Sequence, residues 1–300
     1  MTNRGSVALA PLPLRQSALV TAVILLPPAL AVFTLFVALP IGEAAWFSVF
    51  NWDGFGIPHR WIGLGNYAQL FANSVFIRAL VNNLLIILVS LALQLPLGLG
   101  MALLLARRRI GTITFRLIFF LPYILADVAA GLIWRFMFDG DYGLFSIVNQ
   151  AFGGHPYFLL TDPSWAFAGV LVAVVWKYFG FHMMLYIAGL QGIDRDLYEA
   201  AEIDGASSFQ RFRFITLPQL APMIRLSVFF AVLGSLQFFD FIVSMTEGGP
   251  FNTTNTMVSF LYYFGITRMR VGFGSAVGVV LFVICVGFAF GYRRWFMRRD

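Results

Sequence analysis

Charge is what this sequence has least of. Only 11% of its residues are Asp, Glu, Lys or Arg and 60% are hydrophobic, where an ordinary soluble domain carries roughly 25% charged residues. With a mean hydropathy of +0.83 the chain reads as an integral membrane protein. Lysine is almost absent: the one Lys, Lys177, lies in Val-Val-Trp-Lys-Tyr-Phe, and no Gly-x-x-x-x-Gly-Lys-Ser/Thr occurs. That excludes the usual cradle in which backbone N–H groups and a lysine hold the phosphates of ATP. The one cysteine, Cys285, sits in an apolar run, so the chain alone can build neither a disulfide nor a zinc framework. The three histidines, His59, His155 and His182, show no metal-ligand spacing with one another or with Cys285. No metal site and no catalytic residue is expected, since a Ser/His triad would have to meet across distant loops. The formal charge of +6 comes from arginines placed beside apolar runs, where membrane topology wants them, which removes nucleic acid as a partner.

What is present is a succession of apolar stretches. Spans are predicted at about 18–41, 80–106, 117–138, 165–190, 223–245 and 271–292, giving an all-α polytopic protein with six transmembrane helices in a single transmembrane domain over 1–300. No charge occurs between Arg15 and Glu43. Ala29 and Ala31 form a small-x-small pair of the kind found at signal cleavage sites, but the apolar run continues through Leu39, so a retained anchor is expected. The 28 uncharged residues between Arg78 and Arg107 exceed the length a span needs, which is about 20 residues. With the N-terminus inside, fourteen of the twenty Lys and Arg residues are cytoplasmic, among them Arg107, Arg108, Arg109 and Arg116 and the C-terminal arginines, while Arg60, Arg78, Arg135, Arg268 and Arg270 are external. Both termini are therefore expected in the cytoplasm.

Between the fourth and fifth spans, residues 194–222 form a polar insert. Asp196 with Glu199 three residues on reads as a capping box for a short helix over 197–204, which Gly205 stops. Ser207 with Gln210 repeats the signature for a second helix, carrying Phe209, Phe212 and Ile215 at helical spacing, that Pro218 is predicted to end. The pattern Glu199-Ala200-Ala201, Asp204-Gly205-Ala206, then Phe212, Ile215, Leu217, Pro218 and Pro222 resembles the cytoplasmic EAA loop of binding-protein-dependent ABC importer permeases. Two further matches point to the carbohydrate branch of that family, the maltose and glycerol-3-phosphate type. One is Trp134, Arg135, Phe138, Tyr142, Gly143 and Asn149; the other is Thr246, Gly248, Gly249, Pro250 and Thr254.

The resemblance implies a subunit in the cytoplasmic membrane of a bacterium or archaeon that translocates a sugar or related polyol and binds no cofactor itself. ATP and Mg would sit on two partner ATPase subunits, into which the EAA loop docks as a coupling helix. A second permease subunit, different from this one, and an extracytoplasmic solute-binding protein complete the implied assembly. An ion-gradient-driven secondary transporter is the alternative; such a carrier has no use for an EAA loop.

Ionisable residues inside spans are functional candidates. Asp127 and Lys177 fall roughly 15 and 18 Å into their spans at 1.5 Å per residue, and Asp240 lies nearer the outer face. Two readings of Asp127 and Lys177 are open: an ion pair locking two helices, or groups facing the substrate path. The resemblance places sugar at mid-membrane on the spans that bracket the EAA loop. There Lys177, Tyr178 and Phe181 share one helical face and Gly234, Ser235 and Phe238 another. Aromatic faces suit sugar C–H surfaces, and hydroxyl or cationic groups suit its oxygens; ordinary close packing through small residues is the competing explanation.

Overall fold

The computed structural model describes residues 14–106 and 111–296. Helices account for nearly all of its regular structure, and the only β pairing among the described residues is one antiparallel bridge between Phe50 and Trp61. Arg4, Arg107, Arg108, Arg109, Arg298 and Arg299, counted above for orientation, lie outside the described residues.

Three apolar helices cross a proline by the same device. Helix α1 runs from Leu14–Phe33 through a π-helical turn, Thr34–Ala38, into Leu39–Phe47. After the short α2 (Gly65–Phe71), α3 does so as Ser74–Val89, Ser90–Gln94 and Leu95–Leu105. In each, a Leu-Pro pair follows the π turn, and the leucine N–H reaches back five residues: Leu39 to Thr34 O, Leu95 to Ser90 O. A proline lacks the N–H and its ring collides with the carbonyl four residues earlier; widening the preceding turn by one residue relieves both problems without breaking the helix.

The third span is not one straight helix. Helix α4 (Thr112–Ile124) and α5 (Asp127–Met137) meet at 98°, because Leu125 and Ala126 are extended, each with ψ 141°. Helix α6 (Leu144–Ala151) follows, and then α7 (Ala166–Gln191). Gly180 of α7 lies so close to α4 that a Cβ there would strike the Phe119 carbonyl. In the loop before α7, the Tyr157 hydroxyl donates to Asp162 at 2.7 Å. That bond, with the Ser164 backbone N–H, holds the Asp162 carboxyl below its ordinary value. Helices α8 (Arg195–Ile203) and α9 (Ser208–Arg211, π turn Phe212–Thr216, Leu217–Leu236) then form the polar insert and the fifth span. The fifth span ends at Leu236, earlier than expected, and the chain restarts as the short α10 (Asp240–Met245). Helix α11 (Met257–Phe260, continuing as a π turn Leu261–Ile266) and α12 (Val271–Phe296) complete the chain. Five of these helices are long and apolar enough to cross a membrane, and the bent α4–α5 pair makes a sixth.

Buried asparagines tie the core together across long sequence separations. Asn82 of α3 donates to Thr253 O and Asn255 O at 2.7 and 2.8 Å, while Asn83 donates to Ser235 O at 2.6 Å and accepts from Met257 N–H at 2.9 Å. These bonds join α3, the end of α9 and the loop carrying Thr246 to Thr254, which closes on itself through a Thr246–Thr254 hydroxyl contact of 2.8 Å. Asn83→Ala leaves one buried donor and one buried acceptor unpaired, each costing about 1–3 kcal/mol. We therefore expect Asn83→Ala to lower the melting temperature of the purified protein well beyond Asn149→Ala, whose side chain bonds only the His155 carbonyl in an exposed loop.

Candidate functional site

A cavity of about 530 Å³ opens between α3, α4, α5, α7, α9 and α10. Its wall is aromatic. Tyr123 stacks on Phe181 with centroids 4.8 Å apart, Tyr178 meets Phe238 edge-on at 6.2 Å, and Phe181 meets Phe230 edge-on at 5.8 Å. Polar groups are set between the rings: Ser90 and Gln94 from the π turn of α3, Ser235 and Gln237 from the end of α9, and the carboxylates of Asp127 and Asp240. His182 also lines it, with Nδ1 bonded to the Ser227 hydroxyl across to α9.

Lys177 does not line this cavity. It is 1% exposed, and its ammonium donates to Pro122 O at 3.3 Å, Leu125 O at 2.6 Å and Asp127 Oδ1 at 3.0 Å. These are the carbonyls that the break between α4 and α5 leaves without helical partners, so one buried cation satisfies the end of α4 and neutralises the carboxylate that begins α5. The Tyr178 hydroxyl donates to the other oxygen of Asp127 at 3.1 Å. The ion pair locks the bend, and Lys177 therefore points away from the face it was expected to share with Tyr178 and Phe181.

The other five substrate-path candidates, Tyr178, Phe181, Gly234, Ser235 and Phe238, do line the cavity. Nothing lies within 4 Å of where a Gly234 Cβ would be, so this glycine is not a point of close helix approach. Ser90, Gln94, Tyr123, His182, Phe230 and Gln237 were not among the substrate-path residues expected from sequence. Leu95-Pro96 marks the π turn that presents the first two, and was the available signal.

Below the cavity walls, α8 and α9 make a helical hairpin. Asp194, not Asp196, caps α8, accepting from the Asp196 N–H at 3.1 Å. Glu199 is accordingly exposed and holds no cap; the register moves because Arg195 and Asp196 already adopt helical geometry. At the other end Gly205 has φ +77°, and Ala206 N–H reaches Ala201 O at 2.9 Å while Gly205 N–H reaches Glu202 O at 3.1 Å. This is a Schellman turn, in which a left-handed glycine lets two orphan carbonyls be paired. The capping box of Ser207 and Gln210 is formed as expected. Pro218 does not end the second helix; the π turn Phe212–Thr216 absorbs it, with Leu217 N–H bonded to Phe212 O, and the helix continues to Leu236. Arg211 pairs with Glu202 at 2.9 Å, and Tyr198 bonds Thr216 at 2.9 Å, clasping the two arms. Leu197, Ile203 and Phe209 stand exposed on the hairpin.

Residues 94–299 match the family described as "Binding-protein-dependent transport system inner membrane component". The chain belongs to that family. It is 34% identical over 280 residues to the sulfoquinovosyl glycerol transport system permease protein of Agrobacterium fabrum, covering 93% of this chain and 91% of the relative. It is also 34% identical over 284 residues to the lactose transport system permease protein of Rhizobium radiobacter, covering 91% and 92%. Among solved structures it superposes with TM-score 0.78 and 25% identity on a chain of a bacterial ABC transporter involved in the import of the acidic polysaccharide alginate, covering 94% of this chain and 97% of that one. The hairpin of α8 and α9 lies inside the matched segment, and the cavity is built mostly from it.

Proposed function

We propose that this chain is one permease half of a carbohydrate-type ABC importer, moving a sugar or related polyol while separate ATPase subunits bind ATP and Mg and hydrolyse the nucleotide. The relatives carry lactose and sulfoquinovosyl glycerol by name, and a cavity of stacked rings interrupted by hydroxyls, amides and carboxylates suits the C–H faces and hydroxyl groups of a saccharide. One observation carries the coupling reading. Helix α9 is continuous from Ser208 in the hairpin to Leu236 and contributes Phe230, Ala231, Leu233, Gly234 and Ser235 to the cavity wall. At 1.5 Å per residue the Ser208–Ser235 stretch is a rod of about 40 Å, so a displacement of the hairpin reaches the cavity without passing through a flexible joint.

In this reading the exposed Leu197, Ile203 and Phe209 dock on an ATPase subunit, together with Glu199, Ala200, Ala201 and the turn Asp204–Gly205–Ala206. A second, related permease closes the other side of the path, and a solute-binding protein delivers substrate from outside. Nucleotide-driven closure of the ATPases moves the hairpins, tilts α7 and α9 and exchanges the side to which the cavity opens; the difference in substrate affinity between the two states gives direction to transport. An ion-driven carrier finds no support among the relatives, which are named as permease proteins of sugar transport systems.

The test is binding-protein-dependent uptake in proteoliposomes, combined with labelling in a Cys285→Ala background. Cysteine at Phe251, which is 87% exposed at the tip of its loop, is expected to react with an impermeant thiol reagent from outside, and cysteine at Ala206 only from inside. Reaction of the Ala206→Cys protein from outside would invert the orientation and remove the hairpin from the ATPase side.

A further inference from the structure

The polar lining of the cavity has two carboxylates and, among the described residues, no lysine or arginine. The two acids differ. Asp127 is held by Lys177 and Tyr178. Asp240 is exposed at the first position of α10, and its side chain makes no hydrogen bond or ion pair with any described residue; the Ser244 hydroxyl donates to its main-chain carbonyl instead. Lys177 compensates Asp127 alone, from behind the wall. His182, the other titratable group besides the tyrosines, is 2% exposed and engaged with Ser227. The cavity therefore offers a permeating solute one uncompensated negative charge, set beside Phe238 and Phe239 and the neutral amide of Gln237.

A carboxylate with both oxygens free is an acceptor for two adjacent hydroxyls, and its bonds are stronger than those of a neutral acceptor. The same group repels an anion entering a site with low-dielectric walls, and like-charge juxtaposition is a device by which sites reject wrong ligands. We propose that Asp240 is a specificity-determining residue: it accepts hydrogen bonds from the hydroxyls of an uncharged saccharide or polyol and excludes glycans that bear sulfonate, phosphate or carboxylate groups. This inference rests on the permease reading given under Proposed function and narrows the substrate class of that site.

The cavity potential can be read without knowing the substrate. Gly234 faces the cavity with open space at its Cβ position, so Gly234→Cys in a Cys285→Ala background places one thiol there. The complete importer, with its partner permease and ATPases, is treated with cationic and anionic methanethiosulfonates of matched size, and the ratio of their rates is divided by the ratio for a free thiol. A negatively charged cleft concentrates cations, and an enrichment of about tenfold is expected; adding Asp240→Asn should remove most of it. A normalised ratio of one, a ratio that Asp240→Asn leaves unchanged, or failure of both reagents to react would each overturn the proposal. Transport of a glycan carrying sulfonate, phosphate or carboxylate overturns it equally. Binding-protein-stimulated ATP hydrolysis by the unlabelled complex is measured alongside: its absence sinks the permease reading, whereas a flat reagent ratio with normal stimulation sinks only the charge selection.

Discussion

Gly205→Val is expected to lower uptake at least tenfold while leaving the permease in the membrane and the binding protein able to capture its ligand. The cause is backbone geometry alone. At φ +77° a side chain is in the left-handed region, where an L-residue typically loses about 1–2 kcal/mol and a β-branched one more. No neighbour lies within 4 Å of the Cβ position, so nothing is crowded; the chain simply leaves that φ, and the bonds from Ala206 N–H to Ala201 O and from Gly205 N–H to Glu202 O are lost with it. The angle between α8 and α9 then changes, and the rigid rod of α9 no longer receives the motion of the ATPase. Gly205→Asn, which tolerates the left-handed region, should retain most of the uptake, and copurification of the ATPase subunit should follow the same order. Valine and asparagine variants transporting equally would show that the shape of this turn does not couple ATP to transport. Glu199→Gln is the complementary change. Since Glu199 is exposed and caps nothing, any loss it causes must arise from a contact outside this chain.

Lys177 and Asp127 provide the second large effect. Removing one member of a buried pair leaves a charge uncompensated and typically costs about 3–5 kcal/mol. Here the carboxylate side is 39% exposed, so about 2–3 kcal/mol is the expected scale for Asp127→Asn. Lys177→Met removes more than the charge, because Pro122 O and Leu125 O lose their donor together. The double variant Lys177→Met/Asp127→Asn should be milder than the sum of the two, by about 1–3 kcal/mol of coupling, yet remain below the parent protein because the two carbonyls stay orphaned. Melting in detergent of the parent and the three variants measures this. Strict additivity would mean that the two groups do not hold the bend, and full recovery in the double variant would mean that the carbonyl bonds contribute nothing.

The outline of the fold was legible because lipid imposes length and polarity on a span, and both are visible in a one-dimensional pattern. The hairpin was legible for a different reason: caps and left-handed turns are local, and Ser207, Gln210 and Gly205 act on their own backbone. Where the local signal was doubled it misled. Asp194 and Asp196 both suit an N-cap, and two residues of register decided whether Glu199 had a structural role. Proline was read as a stop at Pro218, whereas in three helices the turn before Leu-Pro widens and the helix goes on, because the π turn removes the ring clash and the missing hydrogen bond within the helix itself.

By itself, then, the sequence determined membrane insertion, the helical class, the position of the hairpin between two spans and the aromatic and small residues available on the faces of α7 and α9. Each of these follows from composition, hydrophobic run length or hydrogen bonds between residues a few positions apart. Only the tertiary structure decided that the third span bends by 98° at Leu125 and Ala126, that Lys177 is enclosed by that bend while Tyr178 beside it faces the cavity, and that Ser90 and Gln94 of α3 converge there with Asp240 of α10. A buried ammonium needs acceptors in the right directions, and which carbonyls are free depends on where a different helix breaks. No spacing within one segment carries that information, because the partners meet only when the helices pack.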